Sequence, residues 1–253
     1  MDEAHSAVLQ HLLRFPTDVD ALLVAAQTTA ATGEIEQAVS LLDDAADLSG
    51  DGAKDMRARA ADLLAQAGQW KESISRFEQL LRDHPQFDPA RRRLASLLNA
   101  RGYRFDANQH IRQLCQTSGA SGRELQGLMS PSRAYVTFSQ KPNIDDPAEI
   151  ERYGTLSVAR ALFGQGDVRD ALTVLENSQL IQQRDPCANA FYGQVLLESQ
   201  QPERFEQWLA NVEPASQRYP SYWMAVGGWA LQQRKYRAAV RMFAEAVLRE
   251  PGD

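Results

Sequence analysis

The sequence predicts an all-α protein, an α-α superhelix of stacked helical hairpins, and three observations predict it. Small residues recur with a period of about 34 residues, at Ala26, Ala61, Ala95, Ala159, Gly193 and Gly227. A large side chain follows each of them at a fixed interval, at Leu42, Phe77, Ile111, Leu175, Leu209 and Phe243. Between the two, a helix stop recurs at Gly33, Gly68, Gly102 and Gly166, with Gln200 and Arg234 in the corresponding places of the last two periods. A stop inside every period makes each one a pair of antiparallel helices, A then B. One such pair cannot cover its own apolar faces, so the pairs must stack.

The first residues of six repeats are then Val19, Lys54, Asp88, Arg152, Pro186 and Pro220. In each, a small residue at position 8 of helix A lets helix B come close, and position 20 of B answers it with Ala38, Ser73, Ala107, Ala171, Phe205 and Ala239. Glycine at position 15 suits the left-handed conformation that ends a helix.

In chain order, residues 1–16 read as a partial repeat, a lone helix B over 4–14. Residues 19–121 hold repeats one to three, 122–151 an insertion, and 152–253 repeats four to six. The insertion begins with a short helical stretch, RELQGLM, and continues as an extended piece, SPSRAYVTFSQKPN, that packs Tyr135, Val136 and Phe138 on the helices, lies across the groove, or is disordered. Asp146, Pro147 and Glu149 form a capping box, which predicts that helix A of the fourth repeat runs from Pro147 to Gly164. The fifth repeat departs from the pattern. Phe205 stands where alanine is expected, Pro202 opens helix B, and Phe205 with Trp208 is expected to repack the neighbouring interface. The last helix, YRAAVRMFAEAVLR, is apolar on nearly every face. It ends at a repeat boundary or meets a partner, a second copy of the chain included.

Pro220, Trp223, Gly227, Ala239, Phe243, Ala246 and Pro251 resemble the tetratricopeptide pattern W-x2-L-G-x2-Y…A-x3-F…P, with Val226 for Leu and Ala230 for Tyr. The resemblance implies a concave groove that holds another protein, lined by helix A positions 2, 5, 6, 9 and 12. Carried onto this chain, those positions give Arg59 and Asp62, then Arg92, Arg93, Ser96 and Asn99, then Arg160. The triplet Arg91–Arg92–Arg93 is the densest positive spot and suits an acidic peptide or a chain-terminal carboxylate through forked hydrogen bonds. The opposite reading is a solvated helix face paired with nearby acids. Two specialised versions of the family are not matched. The Lys and Asn of a carboxylate clamp are replaced by Leu23 and Gln27, and an asparagine ladder by Val24, Arg59, Arg93, Ser157, Phe191 and Ala225. The runs GLMSPSRAYVTF, AEIERYGTLSVARALFGQGD and PSYWMAVGGWALQQ are also similar to repeat segments of large multidomain bacterial proteins that carry a β-propeller-like or UnbV-type domain.

Composition and motifs narrow the function. The net charge is −6, which lacks the basic footprint of a nucleic-acid binder. No apolar run is long enough to cross a membrane. No secretory signal opens the sequence, and the expected compartment is the cytoplasm, or an extracytoplasmic one for a module of a larger exported chain. Phosphate loops, metalloprotease helices and nucleophile elbows are absent. His5, His11, His84 and His110 have no metal-ligand spacing, and Cys115 and Cys187 read as buried small hydrophobes. The expectation is a non-catalytic scaffold for a protein or peptide, without a cofactor or metal. The alternatives are an accessory domain of a larger enzyme and a self-association module acting through the last helix.

Overall fold

A computed structural model describes residues 2–118 and 143–249. Among them every regular element is helical. The predicted helix RELQGLM, the extended piece with Tyr135, Val136 and Phe138, and Pro251 lie outside the described residues. The chain divides into two compact halves. The first contains residues up to Leu97 together with the stretch from His110, and the second contains Leu98–Gln109 together with the rest of the chain.

In the first half, α1 (Asp2–Arg14) precedes the hairpin of α2 (Val19–Ala31) and α3 (Ile35–Leu48), and then that of α4 (Ala53–Gln66) and α5 (Trp70–Asp83). The third hairpin, α6 (Asp88–Ala100) and α7 (Arg104–Ser118), runs through both halves. Asp18 caps α2 by accepting from the Ala21 N–H at 3.1 Å. The core here is Ala26, Val39, Leu42, Ala60 and Leu64. Ser73, at position 20 of its repeat, donates its hydroxyl to the Ala61 carbonyl at 2.7 Å. Position 8 of one helix and position 20 of the next therefore meet as the spacing requires.

The second half contains α8 (Pro147–Tyr153), α9 (Thr155–Gly164), α10 (Val168–Glu176), α11 (Gln179–Gln182), α12 (Pro186–Glu198), α13 (Pro202–Asn211), α14 (Pro220–Gln232) and α15 (Tyr236–Arg249). The single helix expected from Pro147 to Gly164 is broken in two. Gly154 sits at φ 87° between α8 and α9, and the buried Arg101 donates to the Glu151 and Arg152 carbonyls at 2.7 and 3.1 Å. The guanidinium thus takes over carbonyls that a continuing helix would have satisfied. Asp146 caps α8 as expected, accepting from the Ala148 N–H at 2.9 Å.

Glycine at position 8 has a different use from the expected one in the last two repeats. A Cβ on Gly193 would lie 2.2 Å from Trp208, and one on Gly227 would lie 2.7 Å from Phe243. Both glycines make room for an aromatic ring, where a close backbone was expected. Phe205 is fully buried and packs, with its ring tilted, 5.0 Å from the Trp229 ring of the following repeat, while Trp208 lies 5.8 Å from Tyr222. Cys187 is buried, but Cys115 is exposed, contrary to its expected burial, because it falls on the outer side of α7 while Ile111 and Leu114 face Ala95.

The position 15 turn is left-handed in all six repeats, glycine or not. Gln200 and Arg234 both adopt φ 57°, alongside Gly33, Gly68, Gly102 and Gly166. A side chain in that region costs about 1 kcal/mol, partly offset by glycine's larger loss of freedom on folding. Gln200→Gly and Arg234→Gly should each raise stability by roughly 0.5 kcal/mol in urea unfolding. A loss of stability in both would mean that these side chains contribute more than their backbone strain.

Candidate functional site

Helix A positions that turn away from the hairpin core gather in two places, one in each half. In the first half, α2 contributes Leu23 and Gln27 and α4 contributes Arg59, Asp62, Leu63 and Gln66 to a cavity of about 290 Å³. Arg59 is exposed, whereas Asp62 is half-buried and pairs with the exposed Arg93 at 3.4 Å. Burial holds the Asp62 carboxyl above the ordinary carboxylate range, and the nearby Arg93 charge opposes that shift. Arg92 is half-buried and Ser96 exposed on α6.

Arg91 does not belong to this face. It is buried, and its guanidinium donates to the Pro85 carbonyl and to Gln113. The positive triplet is therefore divided: one arginine holds α6 to its neighbours, and two remain toward solvent. The Arg93–Asp62 pair belongs partly to the solvated-face alternative. At such exposure it contributes little to stability and leaves the guanidinium available to a stronger partner.

Asn99 and Arg160 belong to the second half. Arg160 lines a cavity of about 350 Å³ with Phe163 from α9, Phe191 and Gln194 from α12, and Ser221 and Met224 from α14. Arg104 and Phe105 from α7, Tyr219, and Val247 from α15 complete its wall. Arg160 donates Nε–H to the Gly102 carbonyl at 3.1 Å, and its guanidinium lies 4.4 Å from the Phe191 ring centroid. Those two contacts fix the plane of the fork. Phe163 meets Phe191 edge to face at 5.5 Å, and Phe105 meets Tyr219 in the same way at 5.4 Å.

Nearby acids are engaged elsewhere. Asp106 accepts from the Tyr219 hydroxyl at 3.2 Å and pairs with Arg218 at 3.0 Å. Asp185 caps α12 through the Ala188 N–H at 2.8 Å and accepts from the Tyr103 hydroxyl at 3.4 Å. Burial raises the Tyr103 and Tyr219 hydroxyls well above the ordinary phenol range and pushes the Cys187 thiol up to about 12. Cys187 is thus a protonated core side chain at neutral pH and a poor nucleophile. Among the described residues no group of three or more His, Cys, Asp or Glu side chains could hold a metal ion, and no helix is long and apolar enough to cross a membrane.

Of the seven residues picked from the sequence, Arg59 and Asp62 share one cavity, with Arg93 on Asp62. Arg160 belongs to the other. Five residues of the second cavity were missed although the same rule reaches them: Phe163, Phe191, Gln194, Ser221 and Met224 occupy helix A positions 12, 6, 9, 2 and 5. Arg104, Phe105 and Tyr219 carry no such signal, because their meeting depends on packing between distant parts of the chain.

Residues 59–103 match the tetratricopeptide repeat family model. No curated protein matches the chain. Among solved structures it is similar to YrrB, described as a TPR protein with an unusual peptide-binding site, at 14% identity over 98% of this chain and 95% of that one, with a TM-score of 0.31. That likeness bears on neither cavity. The family match spans parts of the second and third repeats, which contain Arg59, Asp62, Arg92 and Arg93, and the left-handed turn of those repeats returns in the described residues of the others. The chain thus contains a tetratricopeptide repeat at residues 59–103, set in an array of helical hairpins that repeat its spacing.

Proposed function

We propose that the chain is a non-catalytic scaffold that binds a protein or peptide through helix A residues, with Arg59, Asp62, Arg92, Arg93 and Ser96 as groove residues in the first half and Asn99 and Arg160 in the second. The observation that carries this reading is the cavity formed by α2 and α4, with a charged rim, Arg59 and the Asp62–Arg93 pair, around an apolar floor of Leu23 and Leu63. Such a rim selects and orients, while the floor supplies burial. An acidic segment is the favoured partner. It would gain two arginine forks at once, and the Asp62–Arg93 pair is exposed enough to be exchanged.

The test is peptide selection from a displayed library, followed by calorimetry on the selected sequences. Arg92→Glu combined with Arg93→Glu should weaken an acidic peptide at least about tenfold, the effect of losing charge-assisted hydrogen bonds. The circular dichroism of the variant should stay unchanged. An unaltered affinity would remove the charged rim from the binding site.

A second reading, self-association through α15, is favoured by Val240, Val247 and Leu248, which are 67%, 59% and 74% exposed. Sedimentation of the chain across a wide concentration range separates the two readings, since a monomer throughout is incompatible with self-association.

A further inference from the structure

Among the described residues of the second half, the charge of Arg160 has no acidic partner. Arg160 is half-buried, and its partners are the Gly102 carbonyl, the face of Phe191, and the Cys187 sulfur at 4.0 Å. Among the described residues no carboxylate pairs with it. A half-buried guanidinium without a counter-charge is unfavourable unless something supplies one. Beside it the cavity offers Phe163, Met224 and Val247, an apolar lining of about the size that holds a small ligand. Phe105 and Tyr219 touch and both line the cavity, so its wall is continuous there.

We infer that this cavity binds an α-carboxylate attached to a large apolar side chain, with the carboxylate on the Arg160 fork and the side chain against Phe163 and Met224. This rests on the helix A binding reading and gives it a chemical class at one site. Two sources carry that chemistry, the C-terminal residue of a peptide and a free N-acylated amino acid.

The probes are N-acetylphenylalanine, N-acetylphenylalaninamide, and a ten-residue peptide ending in phenylalanine with a free or an amidated terminus. Each is titrated into the whole chain and followed by calorimetry. The free-acid peptide should bind about tenfold or more tighter than its amide, as expected for a charge-assisted pair. Arg160→Gln should erase that difference and Arg160→Lys should keep part of it. Val247→Asp, at an exposed position on the cavity lining, should weaken the acids and not the amides, which tests the site even if an Arg160 variant does not fold.

Binding of acetylphenylalanine over its amide assigns the free acid as a sufficient ligand, and preference only in the peptide pair assigns the chain terminus. Equal binding of acid and amide overturns the inference while leaving the helix A reading intact. So does an acid preference that survives both Arg160→Gln and Val247→Asp, and so does the absence of binding by all four probes.

Discussion

Gly102→Ala should destabilise the protein by roughly 2–4 kcal/mol, from left-handed strain and overpacking together. Gly102 has φ +88°, and a Cβ there would lie 2.7 Å from the Ser157 backbone nitrogen and 2.8 Å from the Leu156 carbonyl carbon. Both are main-chain atoms of α9, so no rotamer change relieves the overlap. Gly166→Ala is the control. Its φ of +87° imposes the same strain, but nothing lies within 4 Å of the added atom, so it should lose only about 1 kcal/mol. Urea unfolding of the two variants side by side gives the close-approach contribution by difference. Equal losses would mean that α9 can move away from Gly102 freely.

Phe205→Ala should destabilise by about 3–5 kcal/mol, the usual loss for a buried aromatic truncated to alanine. The direction is instructive because alanine is what the repeat pattern asks for at this position, and restoring a consensus residue commonly stabilises. Here the ring is fully buried, 5.1 Å from the Trp208 ring and 5.0 Å from that of Trp229. Its neighbours have adapted to it. Trp208 fills the space left open at Gly193, so removal of Phe205 leaves a void beside both indoles. Unfolding midpoint and tryptophan emission report this together: a lower midpoint with red-shifted emission is expected. A stability gain would show that the consensus outweighs the local packing.

These two sites show what the sequence made legible and what it hid. Position 8 was readable because a Cβ-sized constraint repeats at one spacing; what fills the space beyond it was not, since Trp208 and Phe243 come from different positions of helix B. The position 15 turn was readable as glycine and remained left-handed at Gln200 and Arg234, where residue identity gave no hint. The break at Gly154 was hidden because a single glycine inside a helical pattern costs only about 1 kcal/mol and is often tolerated. It becomes a break once Arg101, a residue distant in sequence, takes the carbonyls before it. Arg91 and Arg93 look alike in sequence, yet one is buried against Pro85 and Gln113 and the other exposed beside Asp62, a difference set by helix phase. Arg160 was found by its place in the repeat. Its aromatic neighbours Phe163 and Phe191 obey the same positional rule but carry no charge to set them apart from core residues.

The hydrogen bond of Tyr219 to Asp106, beside its contact with Phe105, joins residues 113 apart in sequence. Repeat arrays ordinarily hold each hairpin by its immediate neighbours, so end hairpins peel away independently and melting proceeds piecemeal. A clasp across so many residues carries a loop-closure penalty that only the intervening hairpins, already formed, can reduce. Within the second half, then, the intermediate hairpins and the clasp stand or fall as a single cooperative block, and the cavity beside Arg160 exists only while that block is whole.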